Sequence, residues 1–237
     1  PGVTDHEVLL GGVFAQSGQF RFVTEPYERG LRSAFNSIND SGGVNGRKIK
    51  WIVEDDGYQP SRSLAAAKKL TESNGVFAIV GQVGTPTIAA ILPYTERAGI
   101  PVLTINPLPE PTPKYAFNVM AGFSELTYQL AKHLLSRPDV KRLGYLYQSD
   151  DLGEVGRIGL TKALKELNAT LAADVGYERG ASDLSTQVLR LRDAAVDAVV
   201  VMATAPAVAT AIKQANVNDF HPIWATHGAV GTDIVYK

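Results

Sequence analysis

At 237 residues with a formal net charge of −1 and scattered basic groups, the chain carries no electrostatic footprint for nucleic acid or an anionic membrane. A hydrophobic content of 45% and a charged content of 20% place it among globular proteins, with enough chain for one large core or two ordinary ones. No apolar run approaches the roughly 18–20 residues that span a bilayer, and the absence of cysteine removes disulfides, thiol catalysis and cysteine-ligated metals together.

Apolar runs that read as strands alternate with helical patterns along nearly the whole chain. The predicted strands are 8–14, 49–53, 76–80, 102–105, 143–147, 171–175, 198–202 and 222–225. The predicted helices are 26–39, 61–73, 86–98, 125–135, 155–167, 184–195 and 207–215. Such alternation predicts parallel sheets covered on both faces by helices. Runs without polar alternation, such as Ala198-Val199-Val200-Val201, fit strands buried on both sides. Asn39-Asp40-Ser41-Gly42-Gly43 reads as a helix end with glycines at the cap, and Asn45-Gly46 as the turn into the second strand. Ser124 reads as the N-cap of the fourth helix. Residues 106–114 carry four prolines in nine residues and read as an irregular loop. A crossover placed after that loop divides the chain into an N-terminal lobe, 1–121, and a C-terminal lobe, 122–237, each a Rossmann-like α/β unit.

One stretch carries the first indication of function: Val80-Gly81-Gln82-Val83-Gly84-Thr85-Pro86-Thr87 joins a buried strand to a helix. Thr85 reads as the N-cap with Pro86 at the first helical position. A helix starting there directs unpaired N–H groups and the positive end of its dipole out of the carboxyl end of a strand, where a small anionic or polar group binds. A capped turn with no ligand gives the same pattern.

Enzyme motifs find no supporting context. Asp40-Ser41-Gly42-Gly43 resembles the surroundings of a chymotrypsin-type serine, but here it closes a helix. Tyr128 and Lys132 have the spacing of a short-chain dehydrogenase pair, yet no glycine-rich dinucleotide turn exists. His6, His133, His221 and His227 show no metal-ligand spacing. Asp55-Asp56 and Asp150-Asp151 follow strands and fit solvated or helix-capping carboxylates. No Walker loop is present. No cofactor and no metal are expected.

Taken in order, several segments resemble the type I periplasmic solute-binding proteins of ABC transporters, the branched-chain amino-acid (Leu/Ile/Val) family. They are Glu7–Phe14 with Ser17-Gly18, Ile38–Ile49, Glu54-Asp55-Asp56-Gly57-Tyr58-Gln59-Pro60, Val80–Thr87 and Asp151-Leu152-Gly153. The resemblance covers the whole chain, although members of that family run on for about another hundred residues and cross back to complete the first lobe. It implies a non-enzymatic two-lobe clamp that closes by a hinge on a small molecule at the carboxyl ends of its strands. It also implies recognition by an ABC permease, no nucleic-acid partner, a monomeric state, and a place in the periplasm or at the extracellular face after removal of a signal peptide.

Carried over residue by residue, the resemblance places Thr85 on the family's ligand-binding hydroxyl, with Gln82, Val83 and Gly84 on the loop beside it. Ser17 falls in the first ligand loop, and Asn106 on a backbone contact after the fourth strand. Tyr58 stands opposite Gly84 as an aromatic wall. Other positions depart from the family pattern. Leu108 stands where amino-acid binders carry a threonine hydroxyl, Leu152 and Thr204 where they carry aromatic rings, and His227 where they carry the carboxylate that pairs the ligand's ammonium. These departures point away from an ordinary α-amino acid and toward an organic acid or polar compound, an aromatic carboxylate among them. His227 is expected to donate to a ligand oxygen or, protonated, to pair with an anion; a satisfied histidine is the alternative. A ligand-sensing module of the same fold and a nucleotide-dependent α/β enzyme are the alternative readings.

Overall fold

The computed structural model describes residues 1–18, 20–105, 108 and 112–231. The chain divides into two compact units, Pro1–Met120 and Ala121–Lys237. The first contains β1 (Glu7–Phe14), α1 (Arg21–Asp40), β2 (Lys48–Asp55), α2 (Pro60–Lys68, continued by a π-helical segment Lys69–Ser73), β3 (Ala78–Gln82), α3 (Thr85–Ala98), β4 (Val102–Thr104) and β5 (Ala116–Asn118). The second contains α4 (Phe123–Ser136), β6 (Leu143–Gln148), α5 (Asp151–Glu166), β7 (Leu171–Tyr177), α6 (Ser185–Asp193), β8 (Ala198–Met202), α7 (Ala205–Val217) and β9 (Ile223–Thr226).

All pairings within the two sheets are parallel, as expected of strands joined by helical crossovers. The first sheet has the order β2-β1-β3-β4-β5 and the second β7-β6-β8-β9. Counted from the first strand of each unit, both orders run second, first, third, fourth. The strand order therefore reverses direction between β1 and β3, and again between β6 and β8. In a doubly wound sheet such a switch point opens a crevice beyond the carboxyl ends of the strands, because the two flanking helices leave to opposite faces.

In the first unit α2 and α3 cover one sheet face, where Val13, Ile79 and Val102 meet Ala67, Leu70, Ile88 and Ile91. On the opposite face α1 packs near β1 and β2, with Trp51 set edge-on to both Phe14 and Phe35. That cover stops short of β4 and β5. Leu103 and Phe117, register partners on this face, are 41% and 54% exposed. In the second unit Tyr145, Val200 and Met202 pack with Phe123, Ala131 and Leu160 of α4 and α5, and every residue of β8 is buried.

Most elements lie where the pattern predicts, and the differences have local causes. Helix α1 starts at Arg21 rather than at 26, because Pro26 sits inside the helix instead of opening it. Strand β3 begins at Ala78, not at 76: the Val76 N–H bonds to the Leu70 carbonyl at the end of the preceding helix, and the strand runs on through Gly81 and Gln82. Strand β5 emerges from the stretch after the proline-rich loop. Gly122, not Ser124, is the N-cap of α4. Asn45 and Gly46 both have left-handed backbones between the bridged Val44 and Arg47, which makes a tight hairpin turn.

Helices α4 and α5 approach closely at Gly159, where a Cβ would lie 1.7 Å from the Ser124 carbonyl oxygen. Backbone cannot retreat as a flexible side chain can. Gly159→Ala is expected to destabilise the second unit by about 3 kcal/mol in urea unfolding, with the overpacking concentrated at this helix pair.

Candidate functional site

The first switch point is built on the exit of β3. Gln82, Val83 and Thr85 are all buried. Gly84 is the N-cap of α3, with φ 115° and ψ 121°, so Thr85 and Pro86 form the first turn and Thr85 is not the cap. The reason is conformational: only glycine takes this backbone without strain. The Gln82 amide turns inward, donating to Ser63 Oγ at 3.2 Å and Thr87 Oγ1 at 3.0 Å. Thr87 Oγ1 in turn lies 3.0 Å from the Val83 carbonyl and 2.9 Å from that of Gly84. Thr104 Oγ1 donates to the Gln82 carbonyl at 2.7 Å. These bonds fix the loop from below. The Thr85 hydroxyl is buried, with the residue 5% exposed, and like Gln82 Oε1 and Asp56 Oδ2 nearby it has no hydrogen-bond partner among the described residues.

Tyr58 closes over this loop. A Cβ on Gly84 would lie 2.8 Å from the Tyr58 ring and 2.5 Å from Thr87 Oγ1, so the ring rests directly on the glycine. Tyr58 itself has φ 61°, an uncommon left-handed backbone for a bulky residue. Asp56 holds it there by accepting the Tyr58 N–H at 2.8 Å. Phe20 stacks on its ring at 4.0 Å and 16°. Burial pushes the Asp56 carboxyl above its ordinary range, against the opposing hydrogen bond from Tyr58.

Ser17 lies beside Gly57 and donates to Asp55 Oδ2 at 2.6 Å. Asp55 also accepts the backbone N–H groups of Gln16, Ser17 and Gly57 and pairs with Arg62. Burial alone would raise the Asp55 carboxyl, but these hydrogen bonds outweigh it and hold it below the usual carboxylate range. Leu108 is partly buried and packs against the first unit's core. Asn106 lies outside the described residues.

The carboxyl edge of the second sheet carries Gln148, Asp150, Tyr177, Thr204 and His227. Asp150 caps α5, accepting the Leu152 N–H at 3.0 Å, and pairs with Arg179 at 2.8 Å. The Gln148 amide donates to Asp150 at 2.7 Å. Thr204 is the N-cap of α7, with its N–H directed to the Tyr177 hydroxyl at 3.4 Å. Leu152 is buried in the core cluster that contains Phe123. His227 is buried, its ring 4.7 Å from that of Phe123 and its Nε2 3.1 Å from the Ala203 carbonyl.

Burial pushes the His227 imidazole down to about 4, and the hydrogen bond to Ala203 recovers only part of that shift. The ring is therefore neutral near pH 7. That corrects the expectation of a protonated histidine pairing with an anion. The Nε2–H is already given to Ala203, so it does not donate to a ligand oxygen either.

The structure thus gathers Gln82, Val83, Gly84, Thr85 and Tyr58 into one cluster and places Leu152, Thr204 and His227 on the second unit. Ser63, which supports the first cluster, escapes sequence reading, as do Gln148, Tyr177 and Arg179 at the second edge. Tyr128 and Lys132 form a surface cluster with Glu166, whose carboxylate binds both, on the packed pair α4 and α5. Among the described residues no cluster of three acidic or histidine side chains is arranged to hold a metal, and no helix is long and apolar enough to cross a membrane.

Two doubly wound parallel units with polar groups and helix starts at their carboxyl edges have the architecture of the type I periplasmic binding proteins. The chain belongs to the periplasmic binding protein family, whose model matches residues 7–234. That family consists of extracytoplasmic solute-binding proteins, not enzymes. An amino acid binding protein of Pseudomonas aeruginosa is 27% identical over 208 residues, covering 84% of this chain and 55% of its own length. A possible leucine/isoleucine/valine-binding protein from Rhodopirellula baltica superposes with a TM-score of 0.90 at 24% identity, over 97% of this chain and 64% of that one. A solute binding protein from R. palustris in complex with benzoate superposes with a TM-score of 0.80 at 16% identity, over 94% of this chain and 63% of that one. The chain thus spans less than two thirds of the length of each of these relatives.

The neutral His227 gives a pH prediction. Its folded value lies below its ordinary value of 6.5, so the unfolded chain takes up a proton first as pH falls. Stability is fully present above the unfolded value and is lost as pH drops toward the folded one. Between about pH 7 and about pH 4.5 the protein is expected to lose roughly 2 kcal/mol more than His227→Phe, read from urea midpoints.

Proposed function

We propose that this chain serves an extracytoplasmic solute-binding protein that delivers a small polar or organic-acid ligand to a membrane ABC permease. In this reading the two lobes, 1–121 and 122–237, close on the ligand by a hinge, and the protein acts as a monomer in the periplasm or at the extracellular face. The observation that carries it is the Thr85 hydroxyl: buried, without a hydrogen-bond partner among the described residues, and set in the first turn of α3 directly after the Gly84 on which Tyr58 rests. An unsatisfied buried hydroxyl costs about 1–3 kcal/mol, a cost that a ligand oxygen at this position removes. The α3 N-terminus adds N–H groups and a positive dipole end, which favour a carboxylate.

The second unit argues against an ordinary α-amino acid. A ligand ammonium needs a carboxylate to compensate its buried charge, and the neutral His227 supplies none. The benzoate-bound neighbour supports an aromatic carboxylate as one candidate class. Tyr58 and Phe20 offer ring surface of the kind such a ligand stacks on.

A thermal-shift screen of aromatic carboxylates against branched-chain amino acids tests this reading. The acids are expected to raise the melting temperature, and leucine, isoleucine and valine to leave it unchanged. Thr85→Val is expected to weaken acid binding about tenfold, the loss of one hydrogen bond to a charged group. Strong stabilisation by the amino acids alone would refute the ligand assignment.

A further inference from the structure

Strands β1 and β2 run side by side in register as far as Phe14 and Asp55, and there their paths divide. The chain leaving β1 crosses to α1 on one sheet face, and the chain leaving β2 enters α2 on the other. Strand pairing cannot continue past such a fork, so the N–H groups just beyond it lack strand partners. Asp55 receives them. Its Oδ1 accepts the backbone N–H of Gln16 at 2.9 Å, of Ser17 at 3.2 Å and of Gly57 at 2.9 Å. Its Oδ2 takes the Ser17 hydroxyl at 2.6 Å and the Arg62 guanidinium at 2.9 Å. The two oxygens differ in what they hold: Oδ1 gathers backbone from both branches, and Oδ2 gathers side chains.

Each branch carries one ring of a stack. The branch after β1 ends at Phe20, the N-cap of α1, and the branch after β2 turns at Tyr58. The rings lie 4.0 Å apart at 16°, and the Tyr58 ring rests on Gly84, the residue before Thr85. A stack between two branches forms only if the branches are held in one relation. The Asp55–Arg62 pair does not do this by charge, because its side chains are 29% and 51% exposed and such pairs add little. Backbone donors converging on one charged oxygen are stronger and more directional. We propose that Asp55 is a positioning residue of the first-unit site, its Oδ1 joining the two branches and so holding the Phe20–Tyr58 ring pair over Gly84. This role rests on the reading that the loop at Thr85 binds the ligand, and it gives Asp55 no contact with that ligand.

The test compares Asp55→Asn with Asp55→Ala. Asparagine keeps an Oδ1 acceptor and gives up the charge, whereas alanine loses both. Nuclear Overhauser contacts between the Phe20 and Tyr58 rings are expected in the wild type and in Asp55→Asn, and not in Asp55→Ala. In calorimetry with benzoate and L-leucine as probes, Asp55→Ala is expected to weaken whichever binds by about tenfold, the cost of ordering two ring side chains at binding. In a Tyr58→Ala background the same substitution is expected to change affinity by less than about twofold, since Asp55 acts through that ring. A general loss of stability would carry through both backgrounds. In the wild type the Ser17 and Gly57 amides are expected to exchange more slowly than in an unstructured chain, a readout that needs no variant to fold. The assignment is overturned if the ring contacts persist in Asp55→Ala or are lost equally in Asp55→Asn. It is also overturned if Asp55→Ala leaves affinity unchanged, if its loss is equal in both backgrounds, or if those amides exchange freely. If neither probe binds, the ligand reading fails by itself, and the ring contacts and amide exchange still decide whether Asp55 holds the rings.

Discussion

The backbone of Gly84 is the constraint from which the first half of the site follows. At φ 115° and ψ 121° it turns β3 into α3 within two residues, and any Cβ there would strike both Thr87 and the Tyr58 ring. The sharp turn leaves the Thr85 hydroxyl without the capping bond that its position in the sequence implied. It also lets an aromatic ring lie flat on the loop. The inward bonds of Gln82 and Thr87 then hold the turn in one shape. At the proposed site, preorganisation of this kind would limit the ordering cost of binding.

The second unit repeats the topology with different chemistry. Its strand order matches that of the first unit, and its helices α5 and α7 again start at the sheet's carboxyl edge. There the start of α5 is occupied by the Asp150 carboxylate, while Thr204 begins α7 without a side-chain capping bond. Among the described residues of this unit, the buried side-chain atom left without a partner is the Nδ1 of His227. One half thus offers a hydroxyl and a helix dipole, the other a lone pair against an aromatic ring.

The fold was legible because strands buried on both faces advertise themselves as apolar runs, and Val199-Val200-Val201 or Leu143–Tyr147 need no context to be placed. Gly84 and Tyr58 were legible as a pair through the resemblance, and their contact is as close as that pairing implied. The state of His227 was not. Its charge depends on burial and on one carbonyl contributed by β8's exit, 24 residues earlier in the chain, and neither is visible in local sequence. The cap at Thr85 was misplaced for a related reason. Threonine and glycine both precede helices, and the choice between them turns on a backbone angle set by packing against Tyr58.

The uncovered face of the first sheet sets a hierarchy of opening. Among the described residues, Leu103 and Phe117 are exposed and β5 pairs with β4 alone at the end of its sheet. Strand β8 lies between two neighbours and is buried along its length. Among the described residues, amide hydrogens along β4 and β5 are therefore expected to exchange with solvent through smaller local fluctuations than those of β8, which are held from both sides.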